Sequence, residues 1–166
     1  MSEIQALNQD EVFMARAIEL AEKAEAIDEV PVGAVIVLDG IIIGEGYNQS
    51  ISLNDPSAHA EMIALREAAV NVNNYRVLDA TLYVTLEPCP MCAGALVHGR
   101  IKRLVFGTYD MKTGASGSVM DITNHAGLNH QVLVEGGCLQ AECSAQISAF
   151  FKRRRAQKKQ QKHLGE

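Results

Sequence analysis

Two β-branched runs, GAVIVL and IIIGEGY, are separated by the dipeptide Asp39-Gly40. That dipeptide suits the positive-φ positions of a type I′ turn, so residues 33–47 are read as a tight antiparallel hairpin. After the hairpin, strand and helix patterns alternate. DPSAHAEMIALREAAV reads as a helix with Asp55 or Ser57 as its cap, Pro56 in the first turn, and Met62, Leu65 and Ala69 on one face. ATLYVTLE is a strand ending at Pro88, CPMCAGALVHGR a short helix, RLVFG a strand, HQVLVEG a further strand, and the segment from Leu139 a closing helix. Ahead of the hairpin, residues 10–26 place Val12, Phe13, Ala17, Leu20, Ala21 and Ala24 at helical spacing, with Asn8 or Asp10 as cap. Strands joined through helices lie parallel, whereas the hairpin is antiparallel. The expected architecture is therefore a mixed sheet between helical layers, an α/β/α fold.

The length of 166 residues suits one domain, 1–166, with a core that needs no disulfide framework. Apolar runs such as AVIVL and GIIIG are far short of the ~20 residues of a membrane span. The opening MSEIQALNQDE is acidic and lacks the basic start and apolar stretch of a signal peptide, so a cytosolic protein is expected. Thiols stay reduced there, and the four cysteines are expected to be buried, metal-bound or catalytic. The net charge of −5 is unevenly distributed: seven basic residues and no acid lie between Lys152 and Lys162, on a body that is strongly acidic. Such a basic end reads either as a solvated helix terminus or as an arm that meets phosphates.

Two short stretches fall where a strand or loop gives way to a helix: His59-Ala60-Glu61 and Cys89-Pro90-Met91-Cys92. By itself, a CxxC at a helix start leaves a redox pair and a metal site both open, because the helix dipole favours a thiolate in either case. A redox pair has no need of a histidine and a carboxylate at another helix start. Zinc does: two thiolates and one imidazole leave the fourth tetrahedral position open to water, the pattern of a catalytic rather than a structural site. Two thiolates also cancel the charge of the metal, so it acidifies its water less and benefits from a nearby carboxylate that takes the proton. Glu61 is the candidate and Glu87 its rival, which as the last residue of a strand can instead anchor backbone donors. Residues i and i+2 inside a helix point about 200° apart, so His59 and Glu61 share a centre only near the helix end. His98, His125 and His130 read as ordinary histidines, and Cys138 and Cys143 as small core residues rather than ligands.

His59-Ala60-Glu61 followed by Pro88-Cys89-Pro90-Met91-Cys92 resembles the signature of the zinc-dependent nucleoside and nucleobase deaminases. Beyond it, VPVGAV, GEGYN, DPSAHAEMIALREA, NYRVLDATLYVTLEPCPMCAGALVHGRI and VFGTYDMKTGASGS resemble the bacterial tRNA-specific adenosine deaminases over nearly the whole chain. The resemblance implies a cytidine-deaminase-like fold with a central mixed five-stranded sheet. It also implies one Zn2+ per subunit and a homodimer that hydrolyses the wobble adenosine of a tRNA anticodon stem-loop to inosine, releasing ammonia. His59, Cys89 and Cys92 would be the zinc ligands, and Glu61 the carrier that delivers a proton to adenine N1 and then to the leaving amine. Asn48 would hydrogen-bond the flipped nucleoside, Pro31, Val32 and Leu86 would wall its pocket, and Asp110 and Lys112 would meet the neighbouring nucleotides. Thr108-Tyr109 stands where many relatives have Ala-Arg, which removes a phosphate contact and adds a ring able to stack on a base.

Other readings share parts of this pattern. A deaminase of a free base or nucleoside, such as cytosine or guanine, would use the same zinc site. A non-catalytic zinc-stabilised RNA-binding module would keep the metal without turnover, and a redox protein would carry Cys89 and Cys92 metal-free. The basic end and the loop from Gly107 to Ser118 favour RNA. The Met91 to Val97 helix is the first place to look for a subunit interface.

Overall fold

The computed structural model describes residues 3–165. Its elements are α1 (Glu3–Ala26), β1 (Gly33–Leu38), β2 (Ile41–Tyr47), α2 (Ala60–Asn71), β3 (Thr81–Leu86), α3 (Pro90–His98), β4 (Arg103–Thr108), β5 (Leu133–Gly136) and α4 (Gln140–Leu164). The turn between β1 and β2 is the expected one: Asp39 and Gly40 have φ of 51° and 77°. The five strands lie in the order β2-β1-β3-β4-β5. β1 runs antiparallel to β2 and β3, and β4 runs parallel to β3 and β5.

Side-chain alternation along the strands separates two helical layers. Ala34, Ile36, Leu82, Val84, Leu104 and Phe106 pack on one face with Ala60, Ala64 and Ala68 of α2 and Leu96 and Val97 of α3. Val35, Val37, Tyr83 and Val105 pack on the other with Met14, Ala17 and Leu20 of α1 and Cys143 of α4. The chain is thus a three-layer α/β/α structure on a mixed five-stranded sheet, as the sequence pattern implied. Among the described residues, no helix is long and apolar enough to cross a membrane.

Two helices depart from their sequence reading. α1 begins at Glu3, so Asn8 and Asp10 lie inside it and neither caps it. The Asp10 carboxylate instead accepts hydrogen bonds from the Tyr83 hydroxyl at 2.7 Å and from the Arg103 guanidinium at 2.7 and 2.9 Å. Burial alone would raise its pKa, but the bonds to Arg103 and Tyr83 and the charge of Arg103 outweigh burial and hold it below the ordinary carboxylate value. Val12, expected on the inner face, is 64% exposed, and Met14 is buried in its place. The rotation of α1 is set by Ala17 and Ala21, whose backbone rests directly against Gly33 and leaves no room for a side chain there.

α2 begins only at Ala60. Asp55 does not cap it: its carboxylate accepts from the Ser57 N–H and hydroxyl, at 2.8 and 2.7 Å, and shapes the turn that holds Pro56. The first helical N–H, that of Ala60, donates to Asn48 Oδ1 at 2.8 Å, so the start of α2 is secured from the end of β2. The buried face is Ala60, Ala64 and Ala68, whereas Met62, Leu65 and Ala69 sit half-buried on its flank. Gly44 and Gly46 of β2 explain this arrangement. A methyl group on Gly46 would collide with the Ala60 carbonyl, and one on Gly44 with the Ala64 carbonyl, so the alanine stripe lies directly on the strand backbone. Gly46→Ala should therefore lift the start of α2 and lower stability by about 1–3 kcal/mol, the usual scale of overpacking. Urea unfolding reads it; an unchanged midpoint would contradict the direct seat of helix on strand.

Candidate active site

β3 ends at Leu86, and Glu87 and Pro88 carry the chain to Cys89, the extended N-cap of α3 (φ −74°, ψ 173°). Pro90 takes a first-turn position, where its missing N–H removes no helical hydrogen bond. Cys92 follows within the same turn. Across the sheet edge, His59 is the N-cap of α2, also extended (φ −79°, ψ 154°). Because His59 precedes the helix rather than lying in it, helical rotation does not separate it from Glu61. Two helix N-termini, each with unsatisfied N–H groups, therefore meet over one point.

His59 Nδ1 lies 3.6 Å from Cys89 Sγ and 3.5 Å from Cys92 Sγ. The three ligand atoms all lie within 4.8 Å of one another, and they form the one such group of metal-ligating side chains among the described residues. Tetrahedral zinc, with bonds of about 2.3 Å to sulfur and 2.0–2.1 Å to nitrogen, separates those atom types by about 3.6 Å. The donor set therefore fits zinc in both spacing and chemistry. Hydrogen bonding from the Cys92 thiol, aided by the Cys92 backbone N–H and His59, holds the Cys89 thiol down at about 4, against the opposing effect of burial. Cys92 is pushed far up by donating that bond and by burial, so the metal-free pair holds a proton that a bound cation displaces. The bond to Cys89 likewise raises His59, with the charge of Glu61 adding and burial opposing.

Glu61 is 4% exposed. Burial, ahead of every other cause, pushes its carboxyl above the ordinary value; the neighbouring Cys89 adds to this, and a backbone hydrogen bond and His59 oppose it. It is thus a buried carboxyl beside the triangle, poised to hold a proton. The rival, Glu87, is differently occupied: its oxygens accept from the Asp110, Ser116 and Ser118 N–H groups and from the Ser118 hydroxyl. Cys143 is buried against Gly107 of β4, and Cys138 also stands outside the metal group. His98 is exposed, His130 bonds the Ile101 carbonyl and His125 accepts from the Gly127 N–H.

The triangle opens into a cleft of about 680 Å3. Val32, Asn48, Leu86, Asp110 and Lys112 line it. Pro31 does not: it is buried, and Val30 lines the cleft instead, because alternate residues of the segment entering β1 face the opening. Asn48 spends its carbonyl oxygen on Ala60, which leaves its NH2 group for a ligand. Asp110 folds its own loop by accepting from the Lys112 and Thr113 N–H groups and the Thr113 hydroxyl. Tyr109 stands edge-on to Phe106, with ring centres 5.0 Å apart, and borders the cleft. One face of α4 forms the far wall through Ser144, Ile147, Ser148, Phe151 and Arg155. Of these five only Arg155 stood out in the sequence, as part of the basic end, although their recurrence at helical spacing is the signal that would have found the rest.

The family model described as the cytidine and deoxycytidylate deaminase zinc-binding region matches residues 7–108, a span that contains the whole triangle and Glu61. The chain belongs to this family of zinc-dependent deaminases. Within it, the chain is a member of the tRNA-specific adenosine deaminases. It is 58% identical to the tRNA-specific adenosine deaminase of Haemophilus influenzae over 93% of this chain and 90% of that protein. To the tRNA-specific adenosine deaminase of Bacillus subtilis it is 46% identical, over 92% and 95% of the two chains. A solved structure from work on A-to-I editing by tRNA:A34 deaminases at the wobble position superposes with a TM-score of 0.78 at 41% identity. That match covers 81% of this chain and 97% of the solved one.

Proposed function

We propose that this hydrolytic deaminase converts the wobble adenosine of a tRNA anticodon to inosine, with residues 1–166 acting as one deaminase domain in the cytoplasm. One observation carries the reading: the metal-ligand triangle and a buried carboxyl share one cleft whose lining extends through Tyr109–Thr113 to Phe151 and Arg155 on α4. A nucleoside within a polymer needs that extension and a free base does not. The same arrangement argues against a redox pair, since both cysteines lie within ligand distance of a histidine.

His59, Cys89 and Cys92 would hold the zinc. When bound, the metal supplies the Lewis acidity that makes water a nucleophile at neutral pH. Glu61 takes a proton from the attacking water and passes it to adenine N1, which draws electron density from C6 as the new C–O bond forms. It then takes the remaining proton from the oxygen now bonded to C6 and delivers it to the exocyclic amine, the C–N bond breaks, and ammonia leaves as the ring becomes hypoxanthine. Burial of Glu61 suits this cycle, because the carboxyl must accept and release protons in turn. The Asn48 NH2 group holds the flipped nucleoside, Val32 and Leu86 flank its base, and Asp110, Lys112 and the Tyr109 ring meet the adjoining nucleotides. The protein acts as a homodimer; of the α3 helix expected at the interface, Met91 is exposed, whereas Leu96 and Val97 belong to the core.

Turnover of an anticodon stem-loop RNA, measured beside free adenosine, cytidine and guanine, tests the substrate. Inosine should form in the RNA and the free compounds should be poor substrates; preferential use of guanine or cytidine would overturn the reading. Glu61→Gln should keep its zinc and lose activity by at least about 10²–10⁴-fold, the usual contribution of a general acid-base group. Turnover that survives this change would remove Glu61 from the chemistry.

The basic end supplies long-range attraction on an acidic body. Its first residues are partly committed to the fold, because Arg153 pairs with Glu25 at 2.9 Å and Arg154 donates to the Asp28 carbonyl. Lys158, Lys159 and Lys162 lie beyond them on the exposed turns of α4. Changing these three lysines together to glutamine should weaken RNA binding and shallow the log K against log salt slope by up to about 2–3. An unchanged slope would show that this segment meets no phosphate.

A further inference from the structure

The loop from Asp110 to Ser118 lines the cleft with its first part, Asp110 to Thr113, yet it has little regular structure of its own. Its attachment is concentrated on Glu87, a 2% exposed residue two positions before Cys89. Asp110 N–H donates to Glu87 Oε1 at 3.2 Å, and the Ser116 and Ser118 N–H groups donate to Oε2, each at 3.1 Å. The Ser118 hydroxyl donates to Oε1 as well. No cation pairs with this carboxylate among the described residues, so loop N–H and O–H groups alone satisfy it. A buried acid of this kind persists only where its donors are fixed.

The surrounding backbone tightens the link. Glu87 N–H donates to the Thr108 carbonyl at 2.9 Å, and Ala115 N–H to the Pro88 carbonyl at 2.8 Å, so the loop is bonded on both sides of the carboxyl. A methyl group on Gly114 would overlap the Glu87 carboxyl, and this close approach accounts for glycine at that position. Asp110 in turn shapes the tip through Lys112 and Thr113. A continuous path therefore runs from the Cys89 turn through Glu87 to the residues at the cleft rim.

We propose that Glu87 is a positioning residue for substrate: it fixes the Asp110–Ser118 loop at a set height above the metal-ligand turn, so that RNA flanking the target base meets a preformed wall. This rests on the assignment of an RNA substrate above. Glu87 borders the cleft, but both its carboxyl oxygens are engaged by loop donors rather than turned to the reacting centre. Its loss acts on the capture of the polymer rather than on the chemical step, because Glu61 and the three ligands do not hang from the loop.

The test is Glu87→Gln, which keeps shape and one acceptor but turns an NH2 group towards the loop N–H donors. Zinc content should remain one per chain and amide hydrogen exchange at Ser116 and Ser118 should rise. KM for the anticodon stem-loop should increase about tenfold or more, the scale of lost hydrogen bonds to a charged group, with kcat changed by less than about threefold. Ser118→Ala, which removes only the hydroxyl donor and leaves the core intact, should move exchange and KM the same way by about two- to fivefold. Loss of zinc, a fall in kcat at constant KM, or unaltered exchange would each overturn the proposal. Failure of the RNA assignment shows separately, as a wild-type enzyme that does not deaminate the stem-loop; hydrogen exchange then still decides whether Glu87 holds the loop.

Discussion

The seat of α2 on the bare backbone of β2 sets the geometry on which the site depends. Gly44 and Gly46 let Ala60 and Ala64 approach until helix and strand backbones touch, and Asn48 secures the first helical N–H from the same strand end. Together these fix where α2 starts, and hence where His59 stands. The antiparallel pairing of β1 with both β2 and β3 makes those two strands run the same way, which brings the start of α3 to the end of the sheet where β2 ends. The 3.5 and 3.6 Å separations between His59 and the two thiols follow from two backbone packings that make no direct use of the metal.

Two buried acids lie beside this centre in opposite surroundings. Burial governs Glu61 and raises its affinity for a proton, which suits the proton-carrying role proposed for it. Glu87 is surrounded by loop donors and is committed to holding a wall. The difference lies in the number of hydrogen bonds each accepts, not in depth, since both are almost wholly inaccessible. Supply of donors thus sets the two proposed roles apart within a few residues of the same ligands.

Much of this was legible in the sequence, and what escaped shares a physical cause. The hairpin followed from Asp39-Gly40, the strand faces from alternation, and the metal set from residue types at two helix starts. Helix ends and rotations escaped wherever a distant partner decided them. Asn48 caps α2 from twelve positions away, displacing the Asp55 expected in that role. Met14 replaced Val12 because contact with Gly33 fixes the rotation of α1, and Pro31 gave way to Val30 because the approach to β1 faces the cleft on alternate residues. Arg155 read as part of the basic end and Phe151 as an ordinary residue of the closing helix, since nothing local reveals that α4 lines the cleft. Local pattern gave element type and residue chemistry, while tertiary contact chose register.

The central claim is that His59, Cys89 and Cys92 form an open zinc site in a deaminase. X-ray absorption at the zinc edge of the purified protein tests it most directly. The account predicts one zinc per chain with two sulfur neighbours at about 2.3 Å and an imidazole signature among the lighter neighbours. Four sulfur neighbours, which would bring in Cys138 and Cys143, or a protein purified with its thiols intact and no metal, would contradict it.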